Sequence, residues 1–139
     1  MQKDNNILFI IPPYLPFDEY QPKEVGQKLP TLTPPYGVLS LISYVNQDKK
    51  YNVEIIDLNY EIIKNQIDDE EKIKKLIAEK IKTFNPFFIG ISALFNTSFP
   101  HLKYICPLIK QINDHNLLMV GGGLATNLYK DLFKEIPEI

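Results

Sequence analysis

The sequence contains no arginine and no tryptophan in its 139 residues, and it has one cysteine and two histidines. Each shortage excludes a class of function. All 15 cations are lysines, so the chain lacks the guanidinium fork that grips a phosphate or a guanine through two bonds at once. Its net charge is −2 and its lysines are interleaved with acids, which excludes a basic stripe and argues against a nucleic-acid partner. Cys106 alone can build neither a disulfide framework nor a cysteine-caged metal site, and it fits a reducing cytoplasm. No apolar run reaches the roughly 18 residues that a membrane span needs. The opening "MQKDNNILFIIPP" has no small-residue cleavage site, so it reads as a first strand and not as a signal peptide.

What is present is a regular alternation. "ILFII" (7–11), "YNVEIID" (51–57), "FFIGIS" (87–92) and "LLMVGGG" (117–123) read as strands. The first and third are the continuous apolar runs of a strand buried on both faces. Between them lie helical patterns. "TPPYGVLSLISYVNQ" places Val38, Leu41, Ile42 and Val45 on one face, with Thr33 as N-cap and Pro34 at the first helical position. "EEKIKKLIAEKIKTF" carries an apolar stripe of Ile73, Leu76, Ile77, Ile81 and Phe84, is capped by Asp68 or Asp69, and shows its charges to solvent. "HLKYICPLIKQIND" follows Ser98, a candidate cap, and Pro107 is expected to kink or split it. "LATNLYKDLFKEI" is the last helix. Residues 58–69 read as a polar loop or an irregular helix start. The long proline-containing connection 12–33 is of the kind that is often functional.

This order predicts an α/β fold: a doubly wound parallel sheet, a Rossmann-like or flavodoxin-like three-layer sandwich. Such sheets usually have a fifth strand, and the chain ends on "EIPEI". The expectation is therefore a single domain over residues 1–139 that lacks its last strand as a fragment of a longer protein, the alternative being a sheet of four strands.

Ligands of such sheets bind outside the carboxyl ends of the strands. The residues there are Pro12–Tyr14, Asp57–Asn59, Ser92–Leu94 and Gly121–Gly123. Asp57 reads first as an Asx-type turn capping the next segment, and second as a ligand carboxylate. Ser92 is common enough at a strand end to mean nothing by itself. Gly121-Gly122-Gly123 is either a tight turn or a place where a flat or anionic ligand lies against bare backbone. It is no dinucleotide fingerprint, which would need glycine at Thr126, and no P-loop, because no Lys-Ser/Thr follows. His101 and His115 are expected to be surface or capping residues, although His101 follows the third strand and could approach a ligand. Cys106 is expected to be buried. Tyr14 and Tyr36 either pack on a ligand or serve the core and surface.

Taken in order, Asp57, then Ser92-Ala93-Leu94, then Gly121-Gly122-Gly123 resemble the motifs of the cobalamin-binding Rossmann-like domain. That family has Asp-x-His-x-x-Gly, Ser-x-Leu and Gly-Gly; here Asn59 stands in the histidine place and Ile62 in the last glycine place. "ILFIIPPYLP", "TPPYGVLSLISYV", "NVEIIDLN" and "VGGGLAT" together look like the N-terminal domain of cobalamin-dependent radical S-adenosylmethionine enzymes. The resemblance covers essentially the whole chain.

It implies cobalamin held base-off with no protein histidine on cobalt, and a nucleotide tail running beside the glycines. Ser92 would hydrogen-bond near that tail, Leu94 would wall it, and Gly122 and Gly123 would let it pass. Asn59 would face the lower side of cobalt directly, through water, or not at all. The cofactor-binding set implied is Pro13, Tyr14, Asp57, Leu58, Asn59, Ser92, Leu94, Gly121, Gly122, Gly123 and Thr126. Isoleucine at 62 implies a loop of different shape, which residues 12–33 would compensate by covering the corrin edge. A 4Fe-4S cluster and S-adenosylmethionine would belong to a C-terminal radical domain, the partner of this one in a methyltransferase, since one cysteine cannot hold a cluster. The alternatives are a flavin- or nucleotide-binding domain using "GGG", a receiver-like signalling domain, and a domain that keeps the fold and has lost cobalamin.

Overall fold

The computed structural model describes residues 5–20 and 32–139. Half of the long connection, residues 21–31, therefore lies outside the described residues, and with it the expected covering of a corrin edge. Four strands form one parallel sheet: β1 (Asn6–Ile11), β2 (Asn52–Asp57), β3 (Phe88–Ser92) and β4 (Leu117–Gly121), in the order β2-β1-β3-β4. β2 is added on one side of β1, and β3 and β4 on the other, so the crevice at the carboxyl ends of β1 and β3 is the switch point of the winding. In register, Ile11 lies beside Asp57, Gly90 beside Phe9, and Ser92 beside Gly121.

Five α-helices complete three layers: α1 (Tyr36–Val45), α2 (Leu58–Asn65), α3 (Glu70–Phe84), α4 (Phe99–Ile112) and α5 (Gly123–Glu135). Strand alternation decides which face each side chain serves. Leu8, Ile10, Ile56, Ile89 and Ile91 point to one face, where Ile62, Ile73, Ile77, Leu102, Ile105, Ile109, Leu124 and Leu132 from α2 to α5 bury them. Ile7, Phe9 and Ile11 point to the other, where α1, the one helix on that face among the described residues, packs through Val38, Ile42 and Val45. α3 is the helix its sequence describes. The Asp69 carboxylate caps it by accepting from the Lys72 N–H at 2.8 Å, and Asn85, with a left-handed φ of 48°, ends it before Pro86. Lys72 and Lys74 pair with Asp68 and Glu70 one turn earlier on its exposed side, contacts that add little to stability.

The elements depart from expectation in four places. Residues 58–65 form a regular helix, neither the polar loop nor the irregular helix start expected over 58–69, because Asp57 caps them and Leu58, Asn59 and Ile62 turn inward. The first helix starts at Tyr36 and not at Pro34, since a residue that precedes a proline is kept out of the helical region. α4 runs through Pro107 unbroken, held along its length by Leu102, Ile105, Cys106 and Ile109 in the core. Ser98 occupies the N-cap position of α4 but makes no side-chain cap; its hydroxyl is used elsewhere.

Candidate functional site

At the end of β2 the Asp57 carboxylate accepts from the backbone N–H of Asn59 at 3.0 Å and of Tyr60 at 3.4 Å. This is the N-cap of α2, the simpler of the two readings of this aspartate. Capping explains the isoleucine at 62. A helix begins directly after Asp57, so position 62 faces the core with no exposed surface, and no glycine-dependent turn exists there. Leu58 is likewise wholly buried.

Asn59 is 1% exposed and its amide is fully engaged. Its Oδ1 accepts from the Tyr14 N–H at 2.8 Å and from the Tyr20 hydroxyl. Its Nδ2 donates to the Pro12 carbonyl at 3.1 Å and to the Asp57 carboxylate at 3.0 Å. The segment after β1 is bonded from the other side as well. Ser98 Oγ donates to the Pro13 carbonyl at 2.9 Å, Thr97 Oγ1 donates to the Tyr14 carbonyl, and a ring nitrogen of His101 lies 3.0 Å from the Leu15 carbonyl. His101 is thus buried, against the expectation of a surface or capping residue, whereas His115 is exposed. Its other ring nitrogen meets the Tyr104 hydroxyl at 2.8 Å, and burial lowers its pKa, so the neutral ring is favoured.

The glycine turn divides into two kinds of position. Gly122 has φ 103°, and a Cβ there would lie 2.5 Å from the Ala93 carbonyl oxygen. At Gly123 a Cβ would lie 3.0 Å from the carbonyl oxygen of Leu94. The turn is drawn against the end of β3 by hydrogen bonds from the Ala93 N–H to the Gly121 carbonyl (2.8 Å) and from the Leu124 N–H to the Ala93 carbonyl (3.1 Å). Glycine at 122 and 123 therefore answers to the protein's own backbone. Gly121 does not: it is exposed, and among the described residues no atom beyond its chain neighbours lies within 4 Å of where its Cβ would be. Thr126 Oγ1 donates back to the Gly122 carbonyl at 3.0 Å, inside the helix.

Gly121 opens onto a slot of about 440 Å³ on the thinly covered face of the sheet. Its floor is Phe9, Phe88, Gly90, Met119 and Gly121, its one helical wall is Gly37, Val38 and Leu41 of α1, and Ser92, Leu94 and Gly122 stand at the strand ends. The Phe9 ring lies over Gly90, where a Cβ would come within 2.9 Å of it. Gly37, like Gly121, has open space in place of a side chain. A second cavity of about 240 Å³ shares Gly37, Val38, Ser92 and Leu94 with the slot and adds Tyr14, Tyr36 and Phe95. The rings of Tyr14 and Phe95 meet edge to face, with centroids 5.0 Å apart. No described residue lining the slot is titratable.

Of the residues expected at the site, Ser92, Leu94, Gly121 and Gly122 line the slot, and Tyr14 joins them in the adjoining cavity. Asp57, Leu58 and Asn59 stand apart, joined to the rest through the bonds of Asn59 to Pro12 and Tyr14. Pro13 is buried. The wall at Gly37, Val38 and Leu41, the floor at Phe9 and Gly90, and Tyr20 were not singled out by site reasoning. A usable signal existed for the wall, since "PPYGVLSL" puts glycine in the first turn of a helix, where propensity disfavours it. Cys106 is buried in α4, and burial pushes its thiol up to about 12, as suits a core residue. Among the described residues no three His, Cys, Asp or Glu side chains are grouped to hold a metal ion, and no helix is long and apolar enough to cross a membrane.

Comparisons with curated proteins and with solved structures gave no match. The family model for the B12 binding domain matches residues 22–139, from the connection after β1 to the last residue of the chain. The parallel sheet, the Ser-x-Leu and glycine segments side by side at its carboxyl edge, and this match agree: the chain belongs to the B12 binding domain family.

Proposed function

We propose that this chain binds cobalamin, with the nucleotide tail lying in the slot between α1 and the open face of β3 and β4. The observation that carries the reading is Gly121. It is the one glycine of the turn whose missing side chain the protein does not fill, and it lies beside Ser92 at the mouth of an apolar slot. A flat aromatic base suits an apolar floor of Phe9, Phe88 and Met119 left open at Gly121, and a wall of Val38 and Leu41. Ser92 supplies a hydroxyl for the polar part of the tail, and Leu94 and Gly122 border it. No described residue of the slot offers cobalt a nitrogen ligand, and Asn59 has no spare donor or acceptor, which supports binding without a protein ligand; a tail seated in the slot carries its base away from cobalt, which is base-off binding. The bound cofactor supplies the cobalt chemistry; the chain binds it, orients it and keeps water from its tail.

We further infer that the domain serves a radical S-adenosylmethionine enzyme, a methyltransferase. Supporting this are the paired "PPYLP" and "TPPYGVLSL" segments. A partner domain would hold the 4Fe-4S cluster and S-adenosylmethionine, because Cys106 is alone and buried.

The test is to mix the chain with hydroxocobalamin, desalt it and record the visible spectrum. Retained colour with a base-off band shape is expected. The rival reading, a family member that has kept the fold without the cofactor, draws on the saturated Asn59 amide and the core position of Ile62. It predicts no retained colour. For the parent enzyme, the polypeptide isolated from its native cells should carry iron and sulfide with the corrinoid; corrinoid without iron would refute the radical assignment.

A further inference from the structure

The amide of Asn59 occupies the histidine place of the family motif, and its bonding defines what it does. The Tyr14 N–H can only donate and the Pro12 carbonyl can only accept, so the two ends of the amide are fixed by their partners. Two bonds reach each end, which is the full capacity of a primary amide in this setting. A neutral imidazole has one donor and one acceptor and cannot replace it. The Tyr20 hydroxyl completes the arrangement. It accepts from the backbone N–H of Tyr14 at 2.9 Å and of Leu15 at 3.2 Å, while donating to Asn59. Tyr20 is itself 2% exposed, so its hydroxyl is held away from competing water.

These bonds fix a segment that crosses the carboxyl ends of the sheet from the β2 side to the β3 side. The part they fix ends in the half-buried Tyr14 ring, set edge-on against Phe95 at the mouth of the cavity that adjoins the slot. We propose that Asn59 and Tyr20 are positioning residues: they latch the Pro12–Leu15 segment so that Tyr14 and Phe95 form a fixed surface against which cobalamin is seated, and neither reaches cobalt. The proposal rests on the cobalamin reading above. It adds to that reading what the exchanged histidine position does instead of ligation.

The experiment uses the whole chain, Y20F and N59H. Tyr20→Phe keeps the ring in the core and removes only the hydroxyl. In the chain without cofactor, hydrogen exchange at the Leu15 amide should rise about tenfold, the effect of losing one buried bond. Cobalamin affinity should fall about tenfold by the same reasoning. At saturating cobalamin the visible circular dichroism of the bound corrinoid should change, while the absorption bands keep their positions. A merely structural hydroxyl would lower the urea midpoint and leave that dichroism as in the wild type, which would overturn the proposal. So would N59H if its bound corrinoid takes on the bands of nitrogen-ligated cobalt, because position 59 would then reach the metal. If the wild type itself retains no cobalamin, the binding reading fails and the seating role falls with it. If the wild type binds and Y20F matches it in affinity and dichroism, the seating role fails alone.

Discussion

The two faces of the sheet are built from similar strands and end in different states. On one, four helices cover Leu8, Ile10, Ile56, Ile89 and Ile91, and the side chains at the centre have no exposed surface. On the other, among the described residues, α1 covers Ile7, Phe9 and Ile11 and leaves the β3–β4 half open, with Leu117 at 62% and Met119 at 59% exposed. α1 has no charged residue, yet Val38 is its only buried one. Apolar sequence by itself therefore does not say which surface is core. The covered face does the work of stability, and the open face presents apolar area that serves a ligand only if it stays uncovered.

The contrast can be broken from both sides. Ile77→Ala, deep under α3, should cost about 3–4 kcal/mol in urea unfolding, through lost burial and the cavity left behind. Gly122→Ala should cost roughly 2 kcal/mol, from the left-handed φ and the collision with the Ala93 carbonyl. The covered side contains a buried titratable group, His101, and the described lining of the slot contains none. Its pKa is lowered in the fold from the ordinary 6.5, chiefly by burial. As pH falls through 6.5 the unfolded chain takes up the proton first, so the stability present above that pH is progressively lost below it. Urea midpoints at pH 8 and pH 5 should show a larger drop for the wild type than for H101Q. Smallest in stability is Gly121→Leu, expected to stay within about 0.5 kcal/mol of wild type because the position is open. The same change should abolish cobalamin retention by filling the slot; a variant that still binds would place the ligand elsewhere.

Much of the fold was legible because its signals are local. β1 and β3 are continuous apolar runs between breakers, and the stripe of α3 repeats over fifteen residues. α2 was not legible: it is eight residues long, and one of its three inward positions is Asn59, whose polarity reads as exposure until its partners are known. The order of the motifs pointed to the strand ends where the slot opens. It did not indicate which glycine is structural and which is open, since that depends on where the Ala93 backbone passes. Tyr20 was out of reach altogether, because it meets Asn59 across 39 residues of sequence. Ser98 and His101 were noticed for their positions at a helix start, but their roles depend on the carbonyls of Pro13 and Leu15, which sequence does not locate.

The latched segment has a further property that lies in the unfolded chain. Pro12, Pro13 and Pro16 are three of its five residues from 12 to 16. Each proline ring fixes φ before folding begins, and each also restricts the residue ahead of it. The disordered chain thus has fewer conformations to lose here than almost anywhere else in the sequence. Covalent rings narrow the choice, and the bonds from Asn59, Tyr20, Ser98, Thr97 and His101 select within it. The covalent restriction remains when a hydrogen bond is removed, but the selection within it does not. An attempt to transplant this surface onto another parallel sheet would accordingly have to carry the prolines together with their partners.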